Sequence, residues 1–473
     1  MSRGRFQDRL DYQLGNTVNE IFLKIPGPEA RELFHRIEET ALRMEVSYEA
    51  DDGRILPIPI LARPRVITRK QRDYFHRVCL EVNKALEKLA ALYVESPEIR
   101  DLLAFTEEED GWLHDIWPRV AKARQTIFGR LDTNVDLAIL NWDENFQFFE
   151  ANSIGVGGIY YTWATEKILM DEVAPYLQRV APGLILTPND DPRFLLLQQI
   201  TAHARAIGRR RLNVALVQDL SSPGGPDEFG HLVRFLAGHG LTAVHCDPKD
   251  LEVRGDDLYA RDFPVDIVYR DAEIAEYVRR EAAGQDMRAM KRAFEHNQVL
   301  STLSGEFDHK SVWEIFTDPA FEGCFTQRQW RIFRKHILWT RIVREGRATE
   351  PDGQMVDLVP WLRRNKDRIV LKPNREFGGT GIVIGKFTDL DDWDLAIQAA
   401  LILPKSMVAQ SYVDVWIKDF PVLTKDGITL EEFYVVCGFY ATPQGLGILG
   451  RASKKRIVNV AKQGGMTAVL LLV

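Results

Sequence analysis

The chain has 473 residues, of which 45% are hydrophobic and 27% charged, enough apolar material for a sizeable core and a composition unlike that of a fibrous or disordered protein. Its 61 Lys and Arg against 68 Asp and Glu give a formal net charge of -7, so no global attraction to nucleic acid or to an anionic membrane is expected, and an anionic ligand needs a local basic site. The four cysteines, Cys79, Cys246, Cys324 and Cys437, form no CxxC or Cys/His ligand spacing, which argues against a zinc site or a disulfide framework.

The opening "MSRGRFQDRLDYQL" carries no apolar signal-type segment, and no run approaches the roughly 20 apolar residues of a membrane span. A soluble, cytoplasmic protein in a reducing compartment is therefore expected. From about residue 17 to 130, "PEARELFHRIEETALRM" and "QRDYFHRVCLEVNKALEKLAALYV" place apolar residues at three- and four-residue intervals, predicting a helical region. The period changes near residue 135, where "VDLAIL" and "FQFFEAN" read as two strands joined by the polar turn "NWDEN".

Residues 212–270 alternate between strand and helix signals: "NVALVQDL", "FGHLVRFLAGHG", "LTAVHCD" and "VDIVYRD". This pattern predicts a Rossmann-like parallel βαβ unit, although "SSPGG" is not the dinucleotide fingerprint. Helices are predicted over about 272–300 and at "TQRQWRIFRKHILWTRIVRE", and then "DRIVLKPNREFGGTGIVIGKF" reads as two strands around a glycine turn. A helix "DLDDWDLAIQAAL" precedes the strands "SMVAQSYVDVW", "LEEFYVVCGFYA" and "GLGILGRAS", an α+β mixture. No internal repeat or low-complexity tract interrupts it.

Three segments carry chemistry. At a strand end, Lys372 is followed by Gly378, Gly379 and Gly381; such glycines let backbone N–H groups approach phosphate oxygens, and a lysine adds a mobile point charge. The strand reaching Gln410 and Tyr412 can offer its edge to a purine. In "FFEANSIGVGG", Glu150 and Asn152 share one strand face, because side chains repeat every two residues. Two oxygen-bearing groups suit a magnesium ion that takes its remaining ligands from phosphate and water, with Asp132 and Asp136 as competing third ligands. The loop from Ser153 through Gly157 and Gly158 brings backbone donors beside them. Arg451, with Lys454, Lys455 and Arg456 close behind, makes a basic cluster able to hold phosphate or an acidic substrate; Asn459, Gly464 and Gly465 are weaker candidates, and His309 is most simply structural.

Together the R-x-D of Arg130–Asp132, the E-x-N of Glu150–Asn152, the "LKP…GG-x-G" hairpin, "AQSYV" and "GRASKKRIVNVAKQGG" resemble the ATP-grasp superfamily. Glu150 precedes Lys372, the reverse of the ordinary order, so the chain is similar to the circularly permuted ATP-grasp families such as the glutathionylspermidine synthase-like ligases. The resemblance spans about residues 125–470. Outside it lies the helical N-terminal region (1–125); within it are expected a permuted ATP-grasp part with the metal motif (126–205), a Rossmann-like pre-ATP-grasp subdomain (206–300) and nucleotide-binding lobes (301–473).

The activity it implies is an ATP-dependent carboxylate–amine ligase. A carboxylate is phosphorylated, an amine displaces the acyl phosphate, and ADP and phosphate leave. By motif position it implies ATP with two magnesium ions on Asp132, Glu150 and Asn152, and Arg130 near the transferring phosphoryl group. It further implies Lys310 and Lys372 on the phosphates, the glycine turn as their lid, and Gln410 to Val413 near adenine. Arg451 is a second catalytic candidate, and Ser153, Gly157 and Gly158 are the substrate-side candidates. Partners are then small-molecule or peptide carboxylates and amines, with self-association left open. The separation of Asp132 from Glu150 is longer than the short hairpin of those relatives, so Asp136 competes for the third ligand role; the loop "SIGVGG" departs from their Asp-Thr-Pro type, so neither glutathione nor spermidine is implied.

Overall fold

Helix starts are written into this sequence as capping boxes. A computed structural model, which describes residues 15–49, 54–137, 141–221, 227–376, 378–456, 458 and 464–473, shows Thr68 with Gln71, Thr106 with Glu109, and Thr326 with Gln329 opening the helices Arg69–Leu86, Glu107–Val120 and Gln327–His336. Each threonine hydroxyl accepts a backbone N–H three residues on while the longer side chain reaches back, satisfying two donors that a helix start leaves orphaned.

The N-terminal region is mostly helical, but it is not a separate helical lobe. Pro57, Pro59 and Pro64 block helix there, and the following strand Arg65–Ile67 pairs in parallel with Gly464–Leu472. It thereby becomes the edge of an eight-stranded sheet whose main path runs 65–67, 464–472, 445–453, 427–442, 130–133, 148–152. The long strand Gly427–Thr442 is shared. Its first part pairs with Trp416–Thr424, and its later part pairs with Gly445–Ser453 on one side and Arg130–Thr133 on the other.

The expected parallel unit is present as a four-stranded sheet ordered Val299–Leu300, Ile267–Arg270, Asn213–Val217, Thr242–Cys246, with helix Glu228–Gly238 as crossover. Its inner strands, Asn213–Val217 and Ile267–Arg270, are almost entirely buried, as expected where both faces of a parallel sheet are covered. Between its second and third chain segments lies an antiparallel meander, Leu251–Arg254, Asp257–Ala260 and Phe263–Val265, which the pattern did not announce. A further antiparallel sheet is ordered Thr340–Ile342, Met407–Ser411, Ile369–Pro373, Val383–Ile384. Trp339, Trp361, Leu362, Trp393 and Ile397 fill a core between this sheet and the helices Leu358–Arg364 and Leu390–Ile402.

Two expected elements are corrected. The first hairpin strand is Arg130–Thr133 rather than "VDLAIL". Val135 and Leu137 are apolar because they are buried in the core, not because they pair, and residues 138–140 lie outside the described residues. The helix expected through "RIVRE" stops at His336, and Thr340–Ile342 becomes a strand paired with Met407–Ser411. Helical periodicity there gave way to sheet partners that only the tertiary fold supplies. Among the described residues no helix is long and apolar enough to cross a membrane.

Candidate functional site

The hairpin of Arg130–Thr133 and Phe148–Asn152 sets the site. Its register puts Arg130 opposite Asn152 and Asp132 opposite Glu150, so all four side chains rise from one face. Arg130 grips the Asp132 carboxylate with Nε at 2.7 Å and a terminal nitrogen at 3.0 Å. Arg451, from strand Gly445–Ser453, adds a contact at 2.9 Å, and the Asn152 amide donates to the same carboxylate at 3.3 Å. Burial opposes these charges, but the pairing outweighs it. Arg130 and Arg451 hold Asp132 below the usual carboxylate range, and Asp132 raises Arg130. Arg130 also donates to the Gly157 carbonyl at 2.6 Å, tying hairpin to glycine loop.

The facing wall comes from the smaller antiparallel sheet. Lys372 Nζ donates to Gln410 Oε1 at 2.7 Å, and the Gln410 amide donates to the Phe149 carbonyl at 3.2 Å and to Thr340 Oγ1 at 3.0 Å. Gln410 thus bridges the two sheets. Burial pulls the Lys372 ammonium down to about 8, with Glu150 opposing and Lys310 assisting. Its charge lies 5.0 Å from the Phe149 ring centre, a favourable cation–π position. Lys310 Nζ donates to the Glu376 carbonyl at 2.7 Å and lies 3.1 Å from Glu150 Oε1. Gly378, Gly379 and Gly381 have φ near +71°, +75° and +71°, left-handed conformations that favour glycine.

Between the walls is a cavity of about 420 Å³. Arg130, Asp132, Glu150, Asn152, Gly157, Lys310, Lys372, Gly378, Gly379, Gln410, Tyr412, Val413 and Arg451 all line it. Five cationic side chains meet three carboxylates there, the others being Arg456 and Glu376, so a locally basic site sits in an acidic protein. Leu338, Val370, Ile384, Val413 and Val415 add an apolar part to the lining. A cleft lined by both apolar and basic groups suits a ligand with a flat apolar part and an anionic tail.

Other candidates fall elsewhere. Ser153 is buried and gives its N–H to Asp308 at 2.9 Å, whose carboxyl burial first and Glu273 second push up to about 8. Gly158 caps helix Ile159–Glu172, giving its N–H to Glu228 at 2.8 Å; burial raises that carboxyl to about 7. Gly381 also lies outside the lining, because it packs on Pro373. Asp136 is buried against Lys418 at 2.6 Å and does not reach the cavity, leaving Asp132 as the aspartate beside Glu150. Of the basic cluster only Arg451 and Arg456 line it, since Lys454 pairs with Glu431. Gly464 and Gly465 are sheet residues, and Asn459 lies outside the described residues. His309 is buried against Phe105.

Sequence reasoning missed Phe149, whose ring and carbonyl serve the Lys372–Gln410 pair, and Gly438. In the strand beside Asp132, a Cβ at Gly438 would stand 2.5 Å from Arg130 Cδ and 2.8 Å from Asp132 Oδ1. A glycine amid the apolar run "VVCGFYA" was the available signal.

For a metal, the donor chemistry is two carboxylates and one amide on a common face. Among the described residues no group of three or more His, Cys, Asp or Glu could hold an ion by itself. The set fits magnesium, which commonly takes one or two carboxylates and fills its octahedron with phosphate oxygens and water. Glu150 is the freer donor, because Asp132 is already gripped by two guanidiniums.

No protein-family model matches the chain, and no curated protein matches it in sequence. Among solved structures it is similar to the glutathione synthetase like-effector (GSS30) from Globodera pallida in its apo form, at a TM-score of 0.61 and 12% identity, with 96% of this chain and 99% of that chain covered. That coverage extends through helices, parallel sheet and antiparallel sheets alike: the chain has a mixed α/β, glutathione synthetase-like fold.

Proposed function

We propose that the cavity binds ATP with magnesium and that the protein is an ATP-dependent carboxylate–amine ligase of permuted ATP-grasp type, forming an amide or peptide bond through an acyl phosphate. The observation that carries this reading is the Asp132/Glu150 hairpin facing Lys372 and the glycine turn across one basic cavity. The fold shared with a glutathione synthetase-like protein supports it.

A carboxylate resists attack by an amine, and phosphorylation converts it into an acyl group with a good leaving group. Lys372, Lys310 and the backbone of Gly378 and Gly379 hold the phosphates, while Arg130 and Arg451 meet the charge that spreads over the transferring phosphoryl group. Asp132, Glu150 and Asn152 would hold magnesium, which when bound neutralises phosphate oxygens. The apolar lining beside Tyr412 and Val413 takes the adenine ring. The glycine loop through Gly157, clamped by Arg130, receives the carboxylate substrate, and the amine attacks from the same side. The partners so implied are small or peptide acids and amines.

Glu150→Ala tests this directly. The expected result is a fall in ATP turnover on the order of 10²–10³-fold with an unchanged unfolding midpoint. Full turnover in the variant removes Glu150 from the mechanism. Product analysis separates the alternatives: ADP plus phosphate requiring both acid and amine supports the ligase, and a stable phosphorylated product indicates a phosphotransferase. A non-catalytic nucleotide-binding scaffold, which the saturated Asp132 carboxylate favours, shows tight binding without turnover.

A further inference from the structure

Arg375 stands two residues beyond Pro373 and just before Glu376, yet it does not line the cavity. Its guanidinium turns outward onto the N-terminal region. One terminal nitrogen donates to the Ala104 carbonyl at 3.1 Å and to Glu109 Oε2 at 2.8 Å; the other donates to Glu109 Oε1 at 2.8 Å and to Glu273 Oε2 at 3.0 Å. This is a two-pronged grip on one carboxylate with a second alongside. Glu109 is fixed before Arg375 arrives, because its side chain is 2% exposed and already closes the capping box of helix Glu107–Val120.

The surroundings brace the same point. The Arg375 guanidinium lies over the Phe105 ring at 5.6 Å, and Phe105 packs on His309 at 4.5 Å. The next residue, Lys310, donates to the Glu376 carbonyl. At the far end of the turn, Val383–Ile384 is held by pairing with Val370 and Leu371. A turn carrying three positive-φ glycines has much freedom to lose, so both of its ends need anchors.

We propose that Arg375 is a positioning residue that latches the glycine turn over the nucleotide phosphates, so that Glu109 of the N-terminal helical region and Glu273 complete the site from outside it. This rests on reading the cavity as a phosphate site. The latch sets the fraction of molecules whose turn is in place, and apparent affinity scales with that fraction.

The test compares wild type with Arg375→Gln, Arg375→Lys and Glu109→Gln, the last keeping a residue able to close the capping box. Affinities for magnesium with a non-hydrolysable ATP analogue and for AMP are measured by calorimetry, and trypsin cleavage after Arg375 is followed in the ligand-free protein. Arg375→Gln and Glu109→Gln are expected to weaken the ATP analogue about tenfold or more and to leave AMP unchanged. Arg375→Lys is expected to recover part of the loss, and Glu109→Gln to speed cleavage after Arg375. Equal weakening of AMP and the ATP analogue overturns the latch in favour of a general structural role, as does an unchanged affinity in Arg375→Gln while wild type binds. Failure of wild type to bind the ATP analogue at all overturns the phosphate reading itself, and the latch with it.

Discussion

At Lys372 two demands collide. Burial disfavours the ammonium and pulls it down to about 8, whereas a phosphate beside it favours the charged form. Nucleotide binding therefore raises the pKa, and affinity is flat below pH 8 and falls above it by up to about tenfold per pH unit. Binding at pH 9 is expected to take up a proton, read as a dependence of calorimetric heat on the ionisation enthalpy of the buffer. Lys372→Arg, which stays charged, is expected to abolish that uptake; equal uptake in the variant would assign the titration to another group. Lys372 and Glu150 were legible in the sequence because their signals are local, a strand end before glycines and a two-residue alternation. Phe149 was not, since an aromatic in a strand looks the same whether it packs in a core or lies beneath a lysine.

Strands carry the rest of the site, and the shared strand Gly427–Thr442 shows why part of it stayed hidden. Gly438 leaves the space that Arg130 and Asp132 occupy, a fact about the neighbouring strand and not about its own segment. Gly438→Ala should drive Arg130 off Asp132, costing about 1–3 kcal/mol by overpacking and lowering ATP turnover on the order of 10²-fold. Denaturant titration and an ADP-release assay measure the two effects, and a variant as stable and active as wild type would show that Arg130 needs no such space. Elements with long, regular patterns were readable, among them helix Arg69–Leu86, the parallel strands 213–217 and 242–246, and the hairpin around the glycine turn. The strands 65–67 and 340–342 were not, because their partners lie at Gly464–Leu472 and Met407–Ser411, beyond any local window.

Across the whole molecule, stability should respond to pH through Glu166. Helix Ile159–Glu172 buries this carboxyl, and burial first, then Asp191, raises it well above the usual carboxylate range. The folded protein keeps the proton that the unfolded chain gives up above its ordinary pKa, so the stabilising contribution is fully present below that value. It is lost as pH rises through the raised one, at about 1.4 kcal/mol per pH unit. Glu166→Gln is expected to remove that slope from the urea-unfolding free energy as pH rises above the ordinary carboxylate range; parallel slopes in the two proteins would mean that the carboxyl ionises in the fold. The pairing of Asp132 with Glu150 has a consequence at this scale too. Their proximity is fixed by strand register, while Val135, Leu137, Trp142 and Phe146 from the chain between them serve the core and not the site. The number of residues between them thus does not itself define the pairing. A search for distant kin should therefore let that gap float and require the two cross-strand pairs, because a pattern written with a fixed spacing would discard chains that carry the same chemistry on a longer or shorter bend.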